Sequence, residues 1–154
     1  MQLYVPPPTS TPKICNVSKT ASQSIPNGVL TDITWSAEVN DDHGMFDIAS
    51  PTDFVIPADA SFYQVMAKLR CQDPAGIGNW AFYIFEDGAY NFAPLGLHQG
   101  GENSNETVTH MVLSGWVPCS GGETIVFKAE QSSGGALNLS SGGAYHMWAS
   151  IRAW

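Results

Sequence analysis

At 154 residues the chain is long enough to bury one hydrophobic core, and a single domain is the expectation. Apolar residues make up 44% and charged residues only 13%, so Ser, Thr, Asn, Gln and Gly must cover much of the surface, as suits a β-rich protein. Six Lys and Arg against 14 Asp and Glu leave a net charge of −8, which argues against a nucleic-acid partner, and no apolar run approaches the length of a membrane span.

Residues 1–20 carry Pro6, Pro7, Pro8 and Pro12 among Ser and Thr, a stiff and donor-poor composition that predicts an extended arm outside the core. Such an arm is either a loose tail or a docking segment, and Tyr4, Pro6, Pro7 and Pro8 are its candidate docking residues. The first eight residues show neither a basic segment nor an apolar run of seven and do not read as a secretory leader, so either a leader has been removed or the chain is made in a cytoplasm, and the second is the expectation.

Residues 21–154 read as one domain, opened by a turn at Pro26-Asn27-Gly28. Val29, Thr31, Ile33, Trp35 and Ala37 then alternate with more polar neighbours, predicting a strand. The polar loop 40–45 sets Asp41, Asp42 and His43 side by side. Adjacent residues point in different directions, so a solvated loop is the expectation, with a calcium site completed by oxygens from elsewhere as the alternative.

The longest alternating stretch begins at Ser61. Tyr63, Val65, Ala67, Leu69 and Cys71 mark an inward face, while Gln64, Lys68 and Arg70 face out, joined there by Phe62 and Met66. Residues 80–85 are apolar on both faces, as a central strand covered twice would be. Asp87-Gly88 is a hairpin turn, and Pro94 assigns the returning strand to an edge or a bulge. Residues 107–117 read as one strand, and residues 123–130 as another with Ile125, Phe127 and Ala129 inward. After a Gly/Ser-rich stretch, 131–143, the closing strand places Tyr145, Met147, Ala149, Ile151 and Ala153 on one face and His146, Trp148, Ser150, Arg152 and Trp154 on the other.

No segment carries a 3.6-residue stripe, so the class is all-β, with about eight to ten strands in an antiparallel jelly-roll sandwich. No catalytic or phosphate-cradling motif is present and the four His are scattered, so no enzyme, cofactor or metal is expected. Cys15, Cys71 and Cys119 are odd in number and form no paired motif, which leaves their pairing open, with a buried free thiol expected at Cys71. Asn16, Asn105 and Asn138 head glycosylation triplets that carry meaning only on a secretory route. The outward Phe62, Met66, Trp148 and Trp154, with His146, exceed what a monomer of this size readily exposes, and they are the candidate oligomer interface.

Several short patterns occur in a meaningful order. Ile25-Pro26-Asn27-Gly28 precedes the first outer strand; Gly44, Phe46 and Asp47 form a G-x-F-D step. Phe54, Pro57, Ala60 and Tyr63 follow F-x-x-P-x-x-G-x-Y with Ala60 in place of Gly and one residue more before Tyr63, Asp87-Gly88 sits at the central hairpin, and Gly122–Ile125 enters the next strand. The sequence thereby resembles the tumour-necrosis-factor/complement globular-head superfamily over residues 21–154. The resemblance implies a jelly roll assembled as a homotrimer, binding proteins or glycans rather than catalysing a reaction, with calcium near Asp41 and Asp42 in some relatives. Forms without a leader resemble bacteriophage structural proteins. A virion decoration or cement trimer is therefore expected, held to a major capsid protein or another virion protein by the arm. The alternative is the receptor- or glycan-binding head of a tail fibre, with Trp80, Tyr90 or Trp116 as stacking platforms for a host surface glycan. Neither role calls for a nucleic acid or a membrane.

Overall fold

The structure, a computed structural model of the 154-residue chain, describes residues 11–73, 79–99, 106–114, 116–139 and 147–154. Among these residues it is all-β. The strands in chain order are β1 (Lys13–Ser18), β2 (Gln23–Ile25), β3 (Thr31–Asp32), β4 (Ala37–Asp41), β5 (Asp53–Val55), β6 (Phe62–Asp73) and β7 (Asn79–Glu86). They continue with β8 (Ala89–Gln99), β9 (Glu106–Leu113), β10 (Val117–Pro118), β11 (Thr124–Gln131), β12 (Leu137–Leu139) and β13 (Trp148–Ala153).

Two antiparallel sheets face one another. The first runs β2-β12-β6-β13-β1-β4, with β9 and β10 on the other edge of β6; the second runs β3-β11-β7-β8, with β5 also on β11. β6 is the spine of the first sheet, and its alternation explains why. Tyr63, Val65, Ala67, Leu69 and Cys71 are buried and the residues between them are half-buried. Burial of one face on an opposing sheet is what holds a long period-2 strand in register. The inward faces of β1 (Cys15, Val17) and β13 (Ala149, Ile151, Ala153) meet those of β7 (Trp80, Phe82, Ile84) and β11 (Ile125, Phe127, Ala129) in one core. Trp35 and Phe54 both pack edge-on to Phe127, with ring centroids 5.6 Å away, and Phe46 lies 5.3 Å from Phe54.

Turn chemistry closes the frame. Asp87 and Gly88 both take positive φ (48° and 74°), the two-residue turn that matches the twist of a hairpin. β8 shifts register against β7 between Phe82 and Ile84, opposite the stretch from Phe92 to Gly96 that contains Pro94, so the expected bulge on an edge strand is present.

Four sequence expectations are revised. Lys13–Ser18, assigned to the arm, form β1, an interior strand of the first sheet between β13 and the edge strand β4, because Cys15 and Val17 alternate inward behind Pro12. Residues 1–10, with Tyr4, Pro6, Pro7 and Pro8, lie outside the described residues. Ile33 and Trp35 are buried, as expected of that alternation, yet sit on irregular chain anchored by Ile33 N–H to the Phe127 oxygen and Trp35 N–H to the Pro51 oxygen. The stretch 107–117 divides into β9 and β10. At the break Ser114 Oγ accepts from the Val65 N–H, and the Ser114 N–H donates to the Val65 oxygen. β7 is central in its sheet, but its outer side chains are only half-buried: Lys128 lies over the Phe85 ring at 4.7 Å.

Candidate functional site

Pairing register across the first sheet determines which residues share its outer face, since partners directly opposite point the same way. Trp148, Lys68 and Met111 form one row across β13, β6 and β9. Asn16, Ser150 and Met66 form the next, followed by Ile14, Arg152 and Gln64. Phe62, opposite Pro118, ends the face, and the Trp154 N–H donates to the Phe62 oxygen. Sequence alternation named Phe62, Met66, Trp148 and Trp154, and the fold brings these four onto this face or its rim. His146 is outside the described residues.

Each of the four is half-buried in the isolated chain. Trp154 is partly covered from within: Trp116 meets it edge-on with centroids 4.3 Å apart and is itself 38% exposed. Met111, 57% exposed, extends the apolar strip. Met111 and the Trp116–Trp154 contact were missed because only strand register joins β9 to β6 and β13; no local pattern reveals it. The face combines thioether and indole surface with cations, and among the described side chains that β1, β6, β9 and β13 give it there is no carboxylate.

Those cations stand out in a chain with net charge −8. Lys68, Arg70 and Arg152 all lie on this face. Elsewhere Lys13 pairs with Asp59, and Lys128 pairs with Asp32 at 2.6 Å. Among the described residues neither Lys68 nor Arg152 has a carboxylate partner.

The remaining candidates resolve differently. Trp80 is 2% exposed and stacks on Phe82 in the core, so it offers no platform to a glycan. Tyr90 lies in β8 opposite Phe85, and its side chain is outside the described part of the structure. Asp41 is committed to its own loop: its two oxygens accept from the His43 N–H (3.2 Å) and the Phe46 N–H (2.7 Å). It also takes a hydrogen bond from the Cys15 thiol, which burial, the carboxylates of Asp41 and Glu38 and that bond push up to about 12. Among the described residues no three His, Cys, Asp or Glu converge as metal ligands. Cys15, Cys71 and Cys119 are free thiols, the first two buried. A shallow cleft of about 200 Å³ is lined by Asn79, Ala81, Glu130, Gln131 and Ser132. Its one titratable lining residue is Glu130, and the Gln131 amide is spent on the Ile25 and Gly135 oxygens.

One buried charge escaped the sequence reading. Lys19 is 1% exposed, and its ammonium donates to Gln23 Oε1 (3.0 Å), the Thr34 oxygen (2.6 Å) and Thr34 Oγ1 (3.0 Å). All three acceptors are neutral. Burial lowers the pKa of this lysine to about 8.

At the level of sequence the chain matches no protein-family model and no curated protein. In three dimensions it matches solved structures, among them the crystal structures of murine APRIL at pH 5.0 and at pH 8.0. Each has a TM-score of 0.60 at 13% identity, with 94% of this chain and 100% of the other covered. The fold is a TNF-like jelly roll. At 13% identity the likeness carries the architecture alone. Within this TNF-like jelly roll, the mixed aromatic and cationic face is built from the chain's own residues.

Proposed function

We propose that this TNF-like jelly roll is a non-catalytic structural protein that works as a homotrimer, with copies packed through the outer face of the first sheet. The observation that carries the reading is that face: Phe62, Met66, Trp148 and Trp154, joined by Met111, gather on one side of a small sandwich, an area of apolar side chains of the kind that marks an interface. Light scattering of the purified chain should give about three times 16.5 kDa; a monomer at micromolar concentration would overturn the reading.

The finer reading is a virion decoration, or cement, protein made in a host cytoplasm and carried on a capsid. It is supported by the resemblance of the Ser24–Gly28 start to bacteriophage structural proteins, and by the proline-rich segment with Tyr4, Pro6, Pro7 and Pro8 as an anchor to a capsid protein. Deleting residues 1–12 should abolish capsid binding and leave the trimer intact; a truncated trimer that still binds capsids ends the role of that segment. A second reading, a glycan-binding fibre head, is favoured by the exposed Trp116 braced against Trp154, which could stack on a sugar ring. On that reading Trp116→Ala loses binding on a glycan array on which the wild type is positive.

A further inference from the structure

We infer that the cleft on the outer face of the second sheet binds one neutral sugar residue, held through a pair of neighbouring hydroxyls. The inference goes beyond the readings above. The cleft belongs to β7 and β11 of the second sheet, whereas the association face and Trp116 belong to the first-sheet side of the sandwich.

The form of the cleft follows from side-chain size. Trp80, Phe82 and Ile84 of β7 point into the core, so Asn79, Ala81, Tyr83 and Phe85 point out. Ala81 is the one small residue of that outward series, and it leaves a dip between Asn79 and Tyr83. Glu130 stands directly opposite Ala81 on β11. Ser132 closes the rim: its N–H donates to the Asn79 oxygen (3.1 Å), and its Oγ accepts from the Asn79 N–H (3.2 Å). The resulting volume, about 200 Å³, falls below the roughly 300–1,000 Å³ of sites that enclose drug-sized ligands, so the occupant is one small unit.

The lining then selects the chemistry. One Glu130 oxygen accepts from the Tyr83 hydroxyl at 3.4 Å, a long bond, and the other has no partner among the described residues. Lys128, the next outward residue on β11, is held by Asp32 at 2.6 Å and by the Phe85 ring, so no described cation neutralises Glu130. The Asn79 side-chain amide has no partner among the described residues either. An anion would meet the Glu130 charge. An ammonium would use the acceptors and leave the amide donors of Asn79 idle. A vicinal diol uses both kinds of group at once, giving protons to the carboxylate and accepting them from the amide. Tyr83, whose hydroxyl reaches Glu130, sets an aromatic ring beside the dip and offers apolar surface to the C–H groups of a sugar.

The test is an amide NMR titration of the full chain with glucose, galactose, mannose and N-acetylglucosamine, each at millimolar concentration, and with methylammonium chloride as a cationic probe. At least one sugar should shift the amides of Asn79, Ala81, Glu130 and Ser132 to saturation, and methylammonium should not. E130Q removes a charge-assisted hydrogen bond and should weaken that sugar at least about tenfold. A81F fills the dip and should abolish binding; both variants should keep a dispersed, wild-type-like spectrum. Trp116→Ala should leave the shifts in place. Four sugars that leave these amides unmoved overturn the inference, as does binding that survives both cleft variants. Shifts by methylammonium alone overturn the ligand class, and loss of binding in Trp116→Ala moves the sugar to the other face and overturns the site. None of these outcomes touches self-association, which light scattering decides separately.

Discussion

Lys19 shows how far one side chain can depart from its usual habit. A charged residue in a connection between two strands reads as solvated, and no local pattern distinguishes it; its burial arises because Gln23 and Thr34, well separated in sequence, fold over the ammonium. Its pH dependence has a definite sign. Below about pH 8 folded and unfolded chains both hold the proton, and the folded state bears the desolvation cost. Between about 8 and the ordinary 10.5 the unfolded chain binds more protons, so this group makes stability rise with pH. The Cys15 thiol, held near 12 in the fold against an ordinary 9.0, acts in the opposite direction above pH 9, so Lys19 must be read as a difference. The stability gap between wild type and Lys19→Met, from urea denaturation at pH 7 and pH 10, should shift in favour of the wild type by roughly 2–3 kcal/mol. A gap independent of pH would mean that burial does not govern this ammonium.

Glycines give a second residue-scale contrast. Gly121 has φ +78°, and a Cβ built there would lie 2.5 Å from the Ala58 oxygen, whereas Gly134 has φ +87° with open space around it. Gly134→Ala should cost about 1 kcal/mol through backbone strain alone, and Gly121→Ala about 2–4 kcal/mol through strain plus a backbone clash. Thermal denaturation of the two variants side by side ranks them; equal losses would remove the close approach as the cause.

Among the elements, β6 was the most legible and the neighbours of β6 were the least. Its alternation is strict because one face is buried along its whole length, and burial with period 2 is visible in any window that covers the strand. β1 was hidden because the four prolines ahead of it dominate the composition, although Cys15 and Val17 carry the same alternation over a shorter span. The division of residues 107–117 into β9 and β10 was hidden for another reason: it depends on Ser114 turning its hydroxyl onto the β6 backbone, a contact across 49 residues. Trp80 misled because an apolar run does not tell which of its two faces will be covered, and the tryptophan took the inner one. Ser114→Ala tests the join. It strips the buried Val65 N–H of its acceptor and should lower stability by about 1–3 kcal/mol, read from denaturant midpoints. A neutral result would show the β9–β10 break to be held by the remaining backbone bond alone.

For the molecule as a whole, fold class was readable from the strand periodicities, whereas the composition of the association face required the register of four strands to be known. That face separates assembly from folding. Met66 and Trp148 are half-buried, so truncating either to Ala should leave the single-copy secondary structure in place while shifting the association equilibrium towards monomer by about tenfold or more. Sedimentation and circular dichroism on the same samples separate the two effects; a loss of secondary structure in both variants would mean the face is part of the core.

The three thiols carry a consequence of a different kind. Cys15 lies on β1, next to the β4 edge of the first sheet, and Cys71 near the far end of β6, both with no exposed surface, whereas Cys119 is partly open to solvent. A thiol reagent therefore finds one site at once and the other two only when the sandwich parts. The chain carries its own clock for opening: the mass added after the first alkylation counts excursions of the native state, and comparing Cys15 with Cys71 tells whether the β1–β4 side of the sheet and the end of its spine come apart together or in turn.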